Sequence, residues 1–257
     1  MEIIGVKSPI IEEGDDLSKI LLKSIEESTL KKNDILVVAS SVVSLASGNT
    51  VKMKNVEPGK KAKKLSEKSG LNEKFVEIIL QDADKTLGYS KKCIITLKDG
   101  MIKINAGADR SNVPTGKVVL LPRKPNKLAH KLKKEVQNKT GKEIGLVISD
   151  SHVNPLRRGT TGQSIGSNGL NAVLDCRNKK DLYGRELQMT FRNIADQIAS
   201  AAQLIMGESN ERVPFVIVRG VKDAFSKNRA ESPKIPPEKC VYSSIIDYSG
   251  EKTEKEE

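Results

Sequence analysis

Short apolar runs alternate along the chain with amphipathic stretches, a pattern that predicts a mixed α+β protein with helices flanking its sheets. Met1 to Val6 reads as a first strand, followed by a loop through Pro9 and Gly14. Asp15 and Asp16 then cap a predicted helix whose apolar residues Leu17, Ile20, Leu21 and Ile25 recur at helical spacing. Asp34 to Ala39 has the continuous apolar pattern of a buried strand and runs into a predicted turn at Ser40-Ser41. From Val51 to Asp84 the chain reads as lysine-rich and helical, with Pro58 expected in the first turn and Phe75, Ile78 and Ile79 marking one face. Cys93 to Leu97 and Met101 to Ile104 flank Asp99-Gly100, which predicts a hairpin closed by a tight primed turn.

A further strand is expected at Val118 to Leu121, and a helix from Asn126 to Asn138 that ends near Gly141. Glu143 to Ile148 reads as a buried strand with Ser149, Asp150 and Ser151 at its C-terminal end. Asn154 to Gly169 is punctuated by glycine. It reads either as a surface loop or as a backbone cradle that lets amides approach a ligand. Thr190 to Met206 predicts a helix with Ile194, Ile198, Ala201 or Ala202, and Ile205 facing the core, stopped at Gly207-Glu208. Val213 to Val218 is the last predicted strand, and Pro214 inside it points to a sheet edge. Beyond Glu231, prolines and the terminal run Glu251 to Glu257 predict a partly disordered tail.

At 257 residues the chain is long enough for one large or two modest domains. No run of 18 apolar residues occurs, so no membrane helix is expected, and the opening apolar run is too short for a signal peptide. Cys93, Cys176 and Cys240 are odd in number and form no CxxC pair. That argues for a reducing, cytoplasmic setting and against a disulfide framework or a zinc site. With His130 and His152 the only histidines, His-based metal cages and most Ser–His nucleophile systems are disfavoured. The formal charge of +11 favours polyanionic partners. A basic nucleic-acid-binding protein is one reading of it, supported by Lys60, Lys61, Lys63 and Lys64, which otherwise form a solvated helix face. Aromatic residues make up only 3% of the chain, too few for base-stacking platforms.

The familiar nucleotide signatures are missing. There is no GxxxxGK[ST], and Gly162, Gly166 and Gly169 have the spacing GxxxGxxG rather than GxGxxG. What remains is oxygen chemistry at element ends. Asp109 lies in a loop with Asn105, Ser111 and Asn112, Asp150 and Ser151 follow a strand, and Glu208 follows a helix. Such residues either ligate a hard cation such as Mg2+ or Mn2+, or simply bond nearby turn amides. Arg157, Arg158 and Arg185 carry paired N–H donors suited to phosphate or carboxylate oxygens.

Six segments in one order carry a resemblance: Asn105-Ala-Gly-Ala-Asp-Arg-Ser-Asn-Val113, Ser149-Asp150, Arg157-Arg158-Gly159, Ser164-Ile-Gly166, Asp181-Leu-Tyr-Gly-Arg-Glu-Leu187 and Met206-Gly-Glu208. Together they resemble the coenzyme F-420:γ-glutamyl ligase family over about residues 1 to 222, with 223 to 257 left as a C-terminal extension. The resemblance implies an α+β fold of two lobes that forms an intertwined homodimer. It also implies a cytoplasmic enzyme that couples cleavage of GTP to an amide bond between L-glutamate and a deazaflavin acid, through an acyl phosphate. Two divalent ions, Mg2+ or Mn2+, are implied, with K+ assisting. Asp109 and Asp150 would hold one ion, and Ser151 and Glu208 would help hold the second. Asp109, Asp150, Arg157 and Arg158 would serve catalysis. Ser8, Pro9, Ile10, Ile11, Ser40, Ser41, Asn112, Met206, Gly207, Glu208, Ser209, Asn210, Glu211, Arg212 and Val213 would line the nucleotide. The chain departs from the family pattern at Leu45, where a lysine is usual, and at Ser151, where threonine is usual. Ser151 to Leu156 also lacks the usual Gly-Arg pair and Trp. Those departures motivate an alternative, a related metal- and nucleotide-dependent ligase for another acid.

Overall fold

The computed structural model describes residues 1–25, 29–225, 232–242 and 244–246. Along the chain, β1 (Glu2–Val6), α1 (Leu17–Ser24), β2 (Ile35–Ala39) and α2 (Ser40–Ala46) come first. They are followed by β3 (Thr50–Lys52), α3 (Lys60–Ser69), α4 (Glu73–Asp82), β4 (Lys85–Ser90), β5 (Cys93–Lys98), β6 (Met101–Ile104) and β7 (Lys117–Val119). The last stretch holds α5 (Pro125–Thr140), β8 (Gly145–Val153), β9 (Thr160–Asn168), β10 (Val173–Asp175), β11 (Phe191–Asn193), α6 (Ile194–Met206) and β12 (Phe215–Arg219). The chain divides into two compact units. The first comprises Met1–Ala46 and Arg123–Pro233, and the second comprises Ser47–Pro122 with the residues from Lys234 onward.

The first unit is built on a five-stranded mixed sheet in the order β1-β12-β2-β8-β9, in which only β2 and β8 run parallel. The first four residues of β2 and of β12 are apolar on both faces and buried, as a central position demands. Ile194, Ile198, Ala199 and Ala202 of α6 pack on one face against Val37, Val147 and Val216. Glycine permits the close approach of helix and strand there. A methyl group at Gly162 would run into the Ala199 backbone, and one at Gly166 would lie 2.6 Å from Pro125. At the opposite margin, Asp34 is fully buried and paired with Arg219, whose Nε and Nη2 donate to its two oxygens at 2.8 Å. Arg219 also donates to Glu2 and to the Thr29 carbonyl. These bonds hold the guanidinium pKa above its ordinary value, led by the hydrogen bonds to Asp34.

In the second unit, β4, β5 and β6 form an antiparallel sheet and β3 pairs with β7. Phe75, Ile78, Ile79 and Ile94 form its separate core with Val118. The hairpin between β5 and β6 is as predicted, with Asp99 and Gly100 at φ of 50° and 72°, the two left-handed residues that a primed turn requires.

Seven expectations need correction. Ser40-Ser41 is the first turn of α2, because the chain leaves β2 directly into a helix. The stretch read as one helical region holds a strand and two helices: Gly70 ends α3 in the left-handed region, and Asn72 opens α4 by accepting from Lys74 N and Phe75 N. Pro58 precedes the Gly59 cap and stands outside the helix. β8 does not stop at Ile148 but carries Asp150 and Ser151 within the strand, and the glycine-punctuated stretch is its partner β9. Pro214 stands ahead of β12, which is an interior strand, and its carbonyl accepts from Ala39 N at 2.9 Å. Ile205 is 40% exposed rather than part of the core. The strand β4 was not anticipated. The terminal run at 251–257 lies outside the described residues.

Candidate functional site

Strand pairing fixes where the candidate side chains point. Ala39 lies opposite Ser149 in the parallel β2–β8 pair, so the first residue of α2, Ser40, comes beside Asp150. The Ser40 hydroxyl donates to Asp150 Oδ1 at 2.8 Å. Ser40 is buried and Asp150 half-buried, which makes this carboxylate an oriented group at the end of the sheet's core.

Successive strand residues face opposite sides, so Ser151 points away from Asp150. Its hydroxyl donates to Glu208 Oε1 at 2.9 Å, and Thr160 Oγ1 donates to the same carboxylate at 2.8 Å. Gln203 Nε2 also donates to Glu208 and lies 3.3 Å from Ser151 Oγ. Glu208 is delivered by the abrupt end of α6 at Gly207, whose backbone (φ 69°, ψ −169°) only glycine adopts readily. A side chain at that position would also collide with the Glu211 carboxylate.

Two of the predicted nucleotide segments are joined. Ser8 N donates to the Arg212 carbonyl, and Arg212 Nη2 donates to the Ser8 carbonyl, each at 3.1 Å. The segment Ser8, Pro9, Ile10 and Ile11 is thereby tied to the segment from Met206 to Val213, within which Glu211 accepts from Ser209 N. Ser41 sits half-buried in α2 beside Ser40. Leu45, where the family has lysine, is 7% exposed and belongs to the core of the first unit, so the surroundings here suit an apolar side chain.

Arg157 and Arg158 are exposed in the turn between β8 and β9, where Arg157 N donates back to the Asn154 carbonyl. Arg185 lies in the long excursion between β10 and β11, and its amide donates to Asp181 Oδ1. Asp109 and Asn112 belong to the second unit. Asp109 is exposed, and its Oδ1 accepts from Arg110 N, Ser111 N and Ser111 Oγ, the local turn bonding that is the alternative to metal ligation.

Sequence reasoning missed Thr160 and Gln203. Thr160 was hidden in a stretch read as loop. Gln203 was detectable in principle, as a polar residue one turn ahead of the helix-ending glycine, where a side chain reaches back over Glu208. His152 lies in β8 and is half-buried.

Among the described residues, no three His, Cys, Asp or Glu side chains gather in one cluster. Mg2+ usually needs fewer, since it binds one or two carboxylates and completes its shell with phosphate and water oxygens. The donors present, carboxylates flanked by hydroxyls, match that chemistry.

A family model described as F420-0:gamma-glutamyl ligase matches residues 5–220. The chain belongs to this family. Its relatives include proteins named coenzyme F420:L-glutamate ligase. The one from Methanocaldococcus jannaschii is 36% identical over 94% of this chain and 96% of its own length. The one from Methanopyrus kandleri is 38% identical over 87% of each chain, and that from Archaeoglobus fulgidus 37% identical over 87% and 89%. In this member of the F420-0:gamma-glutamyl ligase family, the matched span contains every candidate residue from Ser8 to Val213. Among the described residues, no helix is long and apolar enough to cross a membrane.

Proposed function

We propose that this protein is a GTP-dependent ligase that joins L-glutamate by a γ-glutamyl amide bond to the glutamate-free deazaflavin precursor of coenzyme F420. Family membership across residues 5–220, together with the Asp150 and Glu208 carboxylates held by neighbouring hydroxyls, carries this reading.

The reaction needs activation because a carboxylate is a poor electrophile. An oxygen of the precursor's terminal carboxylate attacks the γ-phosphorus of GTP, and GDP departs. The neutral amine of L-glutamate then attacks the carbonyl carbon of the acyl phosphate, the bond from that carbon to the bridging oxygen breaks, phosphate leaves with the electron pair, and the nitrogen gives up a proton to phosphate or water. Almost every participant is anionic, so the obstacle is electrostatic. Asp109, Asp150, Ser151 and Glu208 are the proposed ligands for two Mg2+ or Mn2+ ions. When bound, these ions neutralise phosphate oxygens that would otherwise repel the attacking carboxylate. Ser40 keeps Asp150 in one orientation, and Ser151, Thr160 and Gln203 do the same for Glu208. Arg157 and Arg158 supply N–H donors for carboxylate or phosphate oxygens. The segments tied through Ser8 and Arg212 line the nucleotide, and K+ assists. The working form is an intertwined homodimer in the cytoplasm. Leu182, Tyr183 and Met189 support the dimer, since the excursion between β10 and β11 leaves these large apolar side chains exposed.

The test is direct. With GTP, Mn2+, K+, L-glutamate and the precursor, mass spectrometry should record a product heavier by one glutamyl residue, with equal amounts of GDP and phosphate. No glutamylated product with either metal overturns the reading. The buried Leu45 favours a second one, a related ligase for another acid. A screen of carboxylic acids scored by nucleotide cleavage separates the two.

A further inference from the structure

Beyond Asp150, the end of the β8–β9 ribbon borders a groove of about 510 Å³. Strand alternation puts His152 and Asn154 on the Asp150 side, with Gln163 directly opposite Asp150 and Thr161 opposite His152. The groove wraps the outer edge of β9, and its other side is the first half of α6, which packs on the Ser151 and Gly162 face and brings Asp196 and Gln197. Every residue lining the groove is polar or glycine.

That lining selects a ligand class. Flat rings such as guanine or a deazaflavin are held by apolar and aromatic walls, which this groove lacks. Two features call for a cationic donor. Gln163 Oε1 is buried and accepts no hydrogen bond among the described residues, an acceptor that costs stability until something donates to it. The Asp196 carboxylate stands on the α6 side, fixed by Ser164 N at 2.8 Å and Asn193 Nδ2 at 2.7 Å. The side-chain amide of Gln197, and the N–H of Asn154 that is not given to Thr161 Oγ1, offer donors for carboxylate oxygens. Distance also fits. Residues two apart on a strand are separated by roughly 7 Å, so a ligand over His152 has its reactive end one strand step from Asp150.

We propose that this groove is the binding subsite for the amino-acid co-substrate, with the ammonium of L-glutamate directed at Gln163 and Asp196. The inference rests on the ligase reading and deepens it.

Steady-state kinetics at saturating GTP and precursor test it. In Gln163→Leu, KM for L-glutamate should rise about tenfold, the effect of one lost hydrogen bond to a charged group, while KM for GTP stays within about twofold. Gln197→Ala, at an exposed position that tolerates truncation, should raise the same KM by a smaller factor. Glutarate, which lacks the reacting amine and can act only as a competitive inhibitor against L-glutamate, supplies a readout that loose folding would not mimic. The ratio of its inhibition constant to KM for L-glutamate should shrink in Gln163→Leu and persist in Gln197→Ala. Unchanged glutamate KM in both variants overturns the groove assignment and leaves the ligase reading intact. Absence of product from the wild-type protein overturns the ligase reading instead. Calorimetric titration of L-glutamate then judges the groove alone: binding lost in Gln163→Leu supports it, and no binding to the wild type overturns it.

Discussion

Asp109, Asp150 and Glu208 carry the proposed metal chemistry, and each can be neutralised with little change of shape. Asp109→Asn keeps the oxygen that accepts from Arg110 and Ser111, and Asp150→Asn keeps an acceptor for the Ser40 hydroxyl. Each substitution is expected to lower kcat by roughly 100-fold or more, the scale of losing one preorganised electrostatic group, while the urea midpoint stays near that of the wild type. Full activity in either variant would remove that residue from the site. Arg219 shows the opposite balance. Arg219→Leu leaves the Asp34 carboxylate buried without its guanidinium partner, so a loss of about 3–5 kcal/mol is expected in urea unfolding. Turnover at temperatures where that variant is still folded should be preserved.

At the scale of elements, α1 depends on its cap. Asp16 accepts from Lys19 N and from the Ser18 hydroxyl, and these bonds, Ser18 foremost, hold its pKa down to about 2 from 3.8. A lowered carboxyl pKa contributes stability above the unfolded value that is lost as pH falls through the folded one. The contribution of the cap to α1 should therefore fade between pH 3.8 and about 2, and Asp16→Ala should abolish that part of the acid transition. Circular dichroism across this range checks both. Gly162→Ala tests the other device, the close seating of α6 on β9. The added methyl meets the Ala199 backbone, so a loss of about 1–3 kcal/mol in thermal unfolding is expected. These elements also explain what could be read in advance. The caps at Asp16, Gly141 and Gly207 and the turn at Asp99-Gly100 declare themselves, because the backbone there needs those residue types. β9 did not, since Gly162 and Gly166 are dictated by helices distant in sequence and look locally like loop. Pro214 misled in the same manner: its missing N–H costs nothing just before a strand, whereas its carbonyl still pairs with Ala39. At the site, Asp150 and Glu208 were legible as acids at element ends. Their hydroxyl partners Ser40 and Thr160 were not legible as such, because strand register creates both contacts.

For the molecule as a whole, the two units have cores with no residue in common. Phe75→Ala should cost about 3–5 kcal/mol in the second unit. Native-state hydrogen exchange should then speed up in α3, α4 and β4 to β6, while β2, β8 and β12 keep their protection. Equal acceleration in both units would show that they unfold as one. The five-stranded sheet has a further consequence for synthesis on the ribosome. Among the described residues β1 pairs only with β12, so Glu2 to Val6 must wait for Phe215 to Arg219 to be made, roughly 10–40 s at ordinary elongation rates. Throughout that interval the first strand lacks its neighbour, while the inserted segment Ser47–Pro122 has already been translated in full and can collapse first. A nascent chain of this protein is therefore most vulnerable to chaperone capture and cleavage at its oldest end.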